Sequence, residues 1–211
     1  MVSRVIYRPF EEGDFDALAA ILQATWHSES PNEAYNRLEA TYDLAHALSI
    51  SSFSQVVLVD GEPRGIVLAR AESDRLPYAA AWDHAKQEIL RQMLEIDERA
   101  TSAYLAFLKS EARVNGKLLR ESGISGADQI TLLAVSETTR GMGIGSVLLD
   151  AAASYVSSRG AQGAFLYTDT DCSWKFYERR GLKRAAAYRA SREERKLLPR
   201  EMYLYGLDLS A

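Results

Sequence analysis

Cysteine and histidine are scarce in this sequence of 211 residues. Cys172 is the single cysteine, so an internal disulfide framework is excluded. The three histidines, His27, His46 and His84, form no metal-ligand spacing with one another or with Cys172. We therefore expect neither a structural zinc site nor a catalytic metal.

Long apolar runs and an excess of charge of one sign are also missing. No segment approaches the roughly 18 consecutive apolar residues of a membrane-spanning helix. Residues 1–10 alternate like a strand and contain no apolar run of signal-peptide length, so we expect a cytoplasmic protein without a membrane partner. The 25 basic and 29 acidic side chains leave a net charge of −4. That charge creates no general field to attract phosphate backbones, and we expect no nucleic acid partner.

Hydrophobic residues make up 47% of the chain, which is enough to bury one sizeable core at this length. We expect a single domain over residues 1–211. Residues 71–127 differ from their surroundings, because apolar side chains there keep helical spacing among many charges and show no strand pattern. We interpret them as a helical insertion within that domain.

The N-terminal part of the chain alternates between strand and helix patterns. A first strand near Val5 is followed by a helix that Asp14 is placed to cap. Residues 32–50 continue with helical spacing. Two apolar runs at 56–59 and 66–69 predict an antiparallel hairpin with a turn of several residues.

The chain after the insertion also alternates between strands and helices. Ile130–Val135 carries no charge and predicts a strand buried on both faces. The further elements that we expect are a helix from about Gly145 to Ser158, a strand at Ala164–Thr168, a short helix from about Cys172 to Arg179 that Asp171 is placed to cap, and strands near Ala185–Tyr188 and Met202–Leu207.

A glycine-rich turn, Arg140-Gly141-Met142-Gly143-Ile144-Gly145, separates the uncharged strand from the helix that follows it. Its small residues let the backbone come close to a ligand. The unpaired N–H groups of the first helical turn, helped by the helix dipole, are suited to binding a pyrophosphate. The turn therefore predicts a phosphate-bearing cofactor.

The spacing of the glycines separates the cofactors that such a turn can bind. A dinucleotide fingerprint requires G-x-G-x-x-G near the start of a βαβ unit, whereas these glycines run G-x-G-x-G and lie two-thirds of the way along the chain. A nucleotide P-loop requires Gly-Lys-Ser/Thr, and no lysine follows these glycines. A nicotinamide-dependent enzyme is a rival interpretation, which predicts binding of NAD and not of coenzyme A.

The strand, turn and helix together resemble the GNAT superfamily of acyl-CoA-dependent N-acyltransferases. Arg140, Gly143 and Gly145 match the family's pyrophosphate-loop pattern, Arg/Gln-x-x-Gly-x-Gly/Ala, and Leu132–Val135 resembles its bulged fourth strand. The resemblance implies an α/β (α+β) fold with a mixed, mostly antiparallel central sheet flanked by helices and a helical insertion between the third and fourth strands. It also implies an N-acetyltransferase that moves an acetyl group from acetyl-CoA to an amine.

A second segment, Trp174–Leu182, is similar to the family's later motif of an aromatic-tyrosine pair, a charged turn and Gly-Phe. Tyr177 aligns with the tyrosine that such enzymes place beside the CoA sulfur. Thr170 and Ser173 stand where many members carry asparagine and alanine, and their hydroxyls can still bond the cofactor. The cofactor contacts implied by the resemblance are Leu133, Ala134, Val135, Arg140, Gly141, Met142, Gly143, Ile144, Gly145, Ser146, Thr170, Ser173 and Tyr177.

Acetyl transfer to an amine needs a donor to the oxyanion, an acid for the departing thiolate and a base for the amine. Given the bulge that the resemblance implies, the backbone N–H of Val135 is the candidate oxyanion donor. Tyr177 is the candidate acid, because a phenol with a reference pKa of about 10 is close enough to a thiol at about 8.5 to donate a proton. The base is left open among Asp128, Glu137, Asp169, Asp171 and a water chain.

The acceptor is not specified by the sequence, and a small-molecule amine, a peptide N-terminus and a lysine side chain all remain open. Trp26, His27, Trp82 and Tyr104 belong to regions that flank the acceptor entrance in such folds, although core packing explains them equally well. The insertion is equally suited to a homodimer surface and to a substrate lid. A rival function is a CoA-binding sensor or scaffold of the same fold without turnover.

Overall fold

Seven strands form one sheet in the computed structural model, which describes residues 3–76, 79–124 and 126–210. The strands are β1 (Val5–Arg8), β2 (Phe53–Val59), β3 (Glu62–Arg70), β4 (Gln129–Val135), β5 (Gly163–Asp169), β6 (Lys183–Arg189) and β7 (Glu201–Asp208). The helices are α1 (Phe15–Trp26), α2 (Glu33–Ser49), α3 (Ala79–Ile96), α4 (Glu98–Ser122), α5 (Ile144–Ser158) and α6 (Lys175–Arg179). None of the helices in these ranges is both long and apolar enough to cross a membrane.

The sheet is mixed and mostly antiparallel, which confirms the predicted architecture. Its strand order is β1-β2-β3-β4-β5-β7-β6, and among these strands β4 and β5 form the one parallel pair. The long helices α3 and α4 lie between β3 and β4 in the chain, so the helical insertion at 71–127 is also confirmed. The parallel pair is therefore placed near the middle of the sheet, directly after the insertion.

The strands β4 and β5 separate after a single residue pair near the start of β4. Their pairing is confined to Gln129 and Phe165, and β5 pairs along its whole length with β7 on its other side. The register between β3 and β4 shifts around Thr131, an extra residue that bulges from β4. We call the opening between β4 beyond Gln129 and β5 beyond Phe165 the fork. It leaves one edge of β4 without a partner strand.

Burial along β4 differs from the prediction of a strand buried on both faces. Ile130 and Ala134 are buried, whereas the other residues of the strand are half-buried. The reason is that β5 leaves β4 after one residue pair, so that beyond Gln129 β4 has a neighbouring strand, β3, on one side only. A half-exposed strand therefore borders the fork.

Helices cover both faces of the sheet. Side chains alternate between the two faces along each strand, and both faces carry apolar side chains that the helices bury. On one face, α5 and α6 pack on a buried cluster that includes Leu148 and Leu166. On the other face, α1 and α2 pack over β2 to β4 around Leu44 and Leu68, and α4 packs over β5 to β7 through Leu118. The fork therefore opens toward α5 and α6 on one side and toward α1, α2 and α4 on the other.

Side-chain caps and a glycine define the ends of two long helices. Asn32 accepts a hydrogen bond from the N–H of Ala34 at 3.1 Å and begins α2. Asp97 accepts one from the N–H of Ala100 at 2.8 Å and begins α4. Gly123, with φ of 71°, adopts the left-handed conformation that ends α4.

The prediction that Asp14 caps α1 is wrong. The backbone of Asp14 is already helical, with φ of −82° and ψ of −18°, so its side chain does not reach the first turn of α1. Its carboxylate instead accepts two hydrogen bonds from the Arg8 guanidinium, at 2.6 and 2.7 Å, and one from the N–H of Glu11 at 2.9 Å. A bidentate charged pair outweighs a single capping bond, and it ties β1 to the start of α1.

The turn between β2 and β3 is shorter than predicted. Val59 pairs with Glu62, so Asp60 and Gly61 alone form the loop. Their φ values of 53° and 89° are those of a two-residue hairpin turn whose twist matches that of the strands. Because β3 begins with polar residues, the apolar pattern did not reveal that the strand pairs with β2 from its first residue, Glu62.

The short helix α6 begins at Lys175 and not near Cys172, and Asp171 does not cap it. Trp174 holds the capping position without a side-chain bond. Asp169 fixes the preceding turn instead, since its Oδ1 accepts the N–H of Asp171 at 2.7 Å. The chain therefore makes a tight turn at the open end of β5 before it becomes helical.

Gly65 on β3 lies against the last residues of β4. A Cβ at this position would stand 2.8 Å from the carbonyl oxygen of Ala134 and 3.3 Å from the Cα of Val135. We predict that Gly65→Ala lowers the free energy of unfolding by about 1–3 kcal/mol, because backbone atoms cannot rotate out of the way. Urea denaturation measures this change. Gly13→Ala is the control, since nothing lies within 4 Å of its added Cβ, and an equal loss in both variants would contradict the prediction.

Candidate active site at the fork

The backbone of β4 presents unpaired groups to the fork. The N–H of Ser136 donates to the carbonyl of Arg64 at 2.8 Å, which makes this pair the hydrogen-bonded one in the antiparallel ladder with β3. Because bonded and non-bonded pairs alternate, the N–H and C=O groups of Leu133 and Val135 point away from β3. They face the fork, where β5 does not pair with them. By the same alternation, the backbone of Ala134 faces β3.

The glycine-rich turn is open at two positions. Gly141 and Gly143 have φ values of 85° and 76°, a conformation that other residues adopt only with strain. Nothing lies within 4 Å of a Cβ built on either residue. The carbonyl of Gly143 accepts the N–H of Ser146 at 3.0 Å and that of Val147 at 3.3 Å, which starts α5. Open space therefore lies directly beside the N-terminus of a 15-residue helix.

Several amides of this turn remain free. Among the residues that the structure describes, the N–H groups of Gly141, Gly143, Ile144 and Gly145 have no backbone acceptor. The positive end of the α5 dipole lies at the same place. Free amides at a helix N-terminus are suited to binding an anionic group such as a phosphate. Ser146 differs, because its N–H already donates to Gly143.

The turn meets both β4 and α6. A Cβ on Gly145 would stand 3.6 Å from the Phe176 ring and 3.9 Å from the side chain of Val135. Phe176 in turn packs edge-to-face on Tyr177, with ring centroids 5.3 Å apart. The structure thus brings together Val135, Gly145 and Tyr177, which are separated in the sequence.

Side chains of the turn point elsewhere. Arg140 forms an exposed ion pair with Glu137 at 2.9 Å, and Met142 is exposed. Ile144 is buried in the core beneath α5. The groups of the turn that are free to meet a ligand are therefore mainly those of the backbone.

Thr170 and Ser173 lie in the turn between β5 and α6. The N–H of Thr170 donates to the carbonyl of Glu201 at 3.0 Å, and its hydroxyl accepts the N–H of Glu201 at 3.4 Å. Ser173 is exposed, and its carbonyl accepts the N–H of Phe176 at 2.9 Å. Thr170 thereby fastens the open end of β5 to β7, while Ser173 begins the turn into α6.

Tyr177 stays protonated at all ordinary pH values. Burial, followed by the nearby Cys172 and the charge of Asp169, raises its pKa well above the usual value. Burial and Asp169 also raise the pKa of the Cys172 thiol to about 12. Cys172 is therefore a neutral thiol and not an activated nucleophile.

Two of the four carboxylates named as base candidates, Glu137 and Asp171, are exposed, and Glu137 forms its ion pair with Arg140. Asp128 accepts the N–H of Glu72 at 2.9 Å. Asp169 is half-buried, and burial raises its pKa, while its Oδ1 accepts the N–H of Asp171 at 2.7 Å. None of these contacts assigns the base.

A fifth carboxylate, Glu111, was missed in the sequence. It lies on the inward stripe of α4, in line with Tyr104, Phe107, Val114 and Leu118 at spacings of three and four residues. The stripe is otherwise apolar, and its last two members are fully buried. A charged residue within an apolar helical stripe is the signal that would have revealed it.

Glu111 faces two other carboxyl groups. It is half-buried, and burial, followed by the charges of Asp43 on α2 and Asp169 at the end of β5, raises its pKa to about 7. Asp169 acts on Tyr177 as well. Glu111 and Tyr177 therefore lie within electrostatic reach of the same carboxylate at the open end of the fork.

A buried histidine pairs with two acids on the same side of the sheet. His27, at the end of α1, is 7% exposed, and its Nδ1 and Nε2 lie 3.4 and 3.0 Å from Glu39 and Asp43. Burial lowers the pKa of His27, but the two carboxylates outweigh it and raise that pKa to about 9. The hydroxyl of Tyr104 also donates to Asp43. His27 and Tyr104, which the sequence placed near the acceptor entrance, thus belong to one network.

Known proteins share this fold. Residues 15–182 match the model of the acetyltransferase (GNAT) family. The chain is similar in structure to the polyamine N-acetyltransferase of Drosophila melanogaster that forms N-acetylagmatine, with 16% identity and a TM-score of 0.60 over 98% of this chain and 100% of the other. It is also similar to a ribosomal protein alanine N-acetyltransferase of Escherichia coli, with 12% identity and a TM-score of 0.55 over 99% and 96% of the two chains. At these identities the likeness establishes the fold alone. No curated protein sequence matches significantly.

The charge of His27 predicts a pH dependence of stability. Its pKa is raised in the folded protein, so its contribution is complete below the unfolded value of about 6.5 and is lost as the pH rises through about 9. We predict that the free energy of unfolding falls between these pH values more steeply in the wild type than in His27→Gln. Urea denaturation at a series of pH values measures the difference. His84→Gln, which changes an exposed histidine, should keep the wild-type slope, and parallel curves for all three proteins would contradict the prediction.

Proposed function

The chain belongs to the acetyltransferase (GNAT) family, and on that basis we propose that it moves the acetyl group of acetyl-CoA to an amine by direct attack. The family membership makes it an acetyltransferase-family enzyme.

One observation carries the proposal. The edge of β4 that β5 leaves free adjoins the free amides at the start of α5, since a Cβ on Gly145 would stand 3.9 Å from the side chain of Val135. The diphosphate of acetyl-CoA would bind the amides of Gly141, Gly143 and Gly145, and its extended arm would lie along Leu133 and Val135. The polar groups of the extended arm would then complete the hydrogen bonds that β4 lacks.

The N–H of Val135 supplies the oxyanion donor in this proposal. As the amine nitrogen attacks the thioester carbon, negative charge moves to the carbonyl oxygen and a tetrahedral intermediate forms. An amide held by a strand is already oriented toward this charge and needs little reorganisation. The intermediate then collapses, the C–S bond breaks, and the amide product forms.

Tyr177 supplies the proton for the departing sulfur. Its hydroxyl is neutral in the folded protein, as the raised pKa requires. The departing thiolate takes the phenolic proton as the C–S bond breaks, and Tyr177 afterwards regains a proton from solvent.

The acceptor would enter on the face covered by α1, α2 and α4. Two similar proteins differ in acceptor, since one forms N-acetylagmatine and the other acts on an alanine of a ribosomal protein. On this face the imidazolium of His27 pairs with Glu39 and Asp43, and the same face also carries the carboxyl groups of Glu111 and Asp169. The excess of negative charge favours binding of an acceptor that carries a second, positively charged group in addition to the amine that reacts.

The glycine turn yields a binding prediction. Gly143→Ala places a methyl group in the space proposed for the diphosphate, and calorimetry should show acetyl-CoA affinity reduced by about tenfold or more. Gly160→Ala is the matched control, because Gly160 also has a left-handed backbone, with φ of 90°, and open space around its Cβ. Gly160 lies just beyond the C-terminal end of α5. Alanine at this position therefore causes the same backbone strain as Gly143→Ala, but far from the proposed diphosphate site. Equal losses of affinity in both variants would oppose this assignment of the turn.

The acid role of Tyr177 yields a kinetic prediction. Tyr177→Phe removes one hydroxyl and should lower turnover by about 10- to 100-fold with little change in acetyl-CoA affinity. Release of free thiol measures turnover, and calorimetry measures affinity. Unchanged turnover, when chemistry is rate-limiting, would remove Tyr177 from this role. A wild-type protein that binds acetyl-CoA and transfers nothing to any amine would instead support the sensor or scaffold function.

A further inference from the structure

Burial makes the charged form of the Glu111 carboxyl group unfavourable. The inward stripe of α4 places it between Tyr104 and Val114, both of which are buried. A carboxyl group in such a place normally pairs with a cation or accepts several hydrogen bonds. Within the described residues, neither a cation nor a hydrogen-bond donor stabilises its charge, and the surrounding groups all favour its protonated form. Packing alone therefore gives no reason for a glutamate here.

Glu111 lies on the face of the sheet from which the acceptor is proposed to enter the fork. The long helix α4 packs over β5 to β7 through Val114 and Leu118, which fixes the direction of the stripe. Phe165 and Tyr167 of β5 pack in the same cluster as Val114 and Leu118, and Asp169 follows them on the same face of β5, toward the end of α4 that carries Glu111. Asp43 on α2 meets the same stripe, since it accepts the hydroxyl of Tyr104. Glu111 is thus placed where three elements converge, opposite the face that carries α5 and α6.

The neighbouring carboxylates are already occupied. Asp43 lies 3.0 Å from the charged ring of His27 and accepts the hydroxyl of Tyr104. Asp169 accepts the N–H of Asp171 at 2.7 Å. Glu111 has no such contact within the described chain, so its oxygens are free to take a proton without breaking a structural bond.

We propose that Glu111 is the general base of the reaction, taking a proton from the acceptor amine as its nitrogen attacks the thioester carbon. This rests on the proposed acetyl transfer. One N–H bond of the amine breaks and an O–H bond forms on Glu111, while the new C–N bond forms and the C–S bond breaks. The sulfur receives the proton of Tyr177. Glu111 later releases its proton to solvent, and the net reaction converts amine and thioester into amide and thiol.

The charges around Glu111 set the pH at which it works. A base must be ionised, and the pKa of about 7 means that Glu111 is ionised above neutral pH. The charged groups that face it are Asp43 from α2 and Asp169 from β5, with His27 behind Asp43. Farther along α4, Lys117 lies over the ring of Tyr188 on β6, and Arg113 pairs with Glu194 at 2.8 Å. Activity should therefore rise as the pH increases through about 7.

The test compares Glu111→Gln with the wild type. The acceptor probes are agmatine, spermidine and a peptide with an N-terminal alanine, and the probe that the wild type acetylates fastest is used. We expect kcat/KM to fall by about 100-fold or more at pH 8, with acetyl-CoA affinity unchanged by calorimetry. The rise of activity near pH 7 should also disappear. Glu111→Asp should retain part of the activity, because it keeps a carboxylate.

Glu121→Gln is the matched control, since Glu121 is an exposed residue of the same helix, and it should behave as the wild type. Replacing a buried charge by an isosteric amide is not expected to unfold the protein. Wild-type turnover and pH profile in Glu111→Gln would overturn the proposal, as would a loss explained by weaker acetyl-CoA binding. A wild type that neither binds nor uses acetyl-CoA would overturn the proposed function itself.

A second measurement does not require turnover. Carboxyl resonances can be followed by NMR in protein labelled with ¹³C at the glutamate carboxyl carbons. The resonance of Glu111 is identified by its absence from the spectrum of Glu111→Gln, and in the wild type it should titrate near pH 7. Titration near the ordinary glutamate value of about 4.3 would contradict the proposal even if no probe is acetylated.

Discussion

The separation of two parallel strands after a single residue pair is the constraint on which the site depends. A strand in the middle of a sheet normally has both edges bonded, and unbonded backbone groups are costly unless water or a ligand satisfies them. Here β4 keeps β3 on one side and loses β5 on the other beyond Gln129. The backbone groups of Leu133 and Val135 are thereby presented in a fixed direction, and the rest of the site is arranged around them.

The fork also divides the chemistry between two faces of the sheet. The α5 and α6 face holds the free amides of the glycine turn and Tyr177, which suits a phosphate-bearing thioester and its leaving sulfur. The opposite face holds carboxyl groups and the ion pairs of His27, which suit a cationic amine. Asp169 stands at the open end of β5 and influences both Tyr177 and Glu111. In the proposed reaction the two substrates would therefore meet in the fork from opposite sides.

The parts of the site built from consecutive residues were predictable from the sequence, and the parts built across elements were not. The glycine turn and the motif around Tyr177 are local patterns, and the structure brings them together. The capping role given to Asp14 failed because Arg8 competes for its carboxylate. The role of Glu111 depends on Asp43 and Asp169, which are distant in sequence and approach it only when α2, α4 and β5 pack together. Helical periodicity revealed the stripe but not what the stripe faces.

Amide hydrogen exchange resolved to single residues, with and without acetyl-CoA, tests the central claim most directly. If the free edge of β4 and the start of α5 hold the cosubstrate, exchange should slow at Val135, Gly143 and Gly145 when acetyl-CoA is added. Exchange at Gly61, in the remote hairpin turn, should not change, and NAD should have no effect. Unchanged exchange at those three amides in the presence of saturating acetyl-CoA would contradict the account.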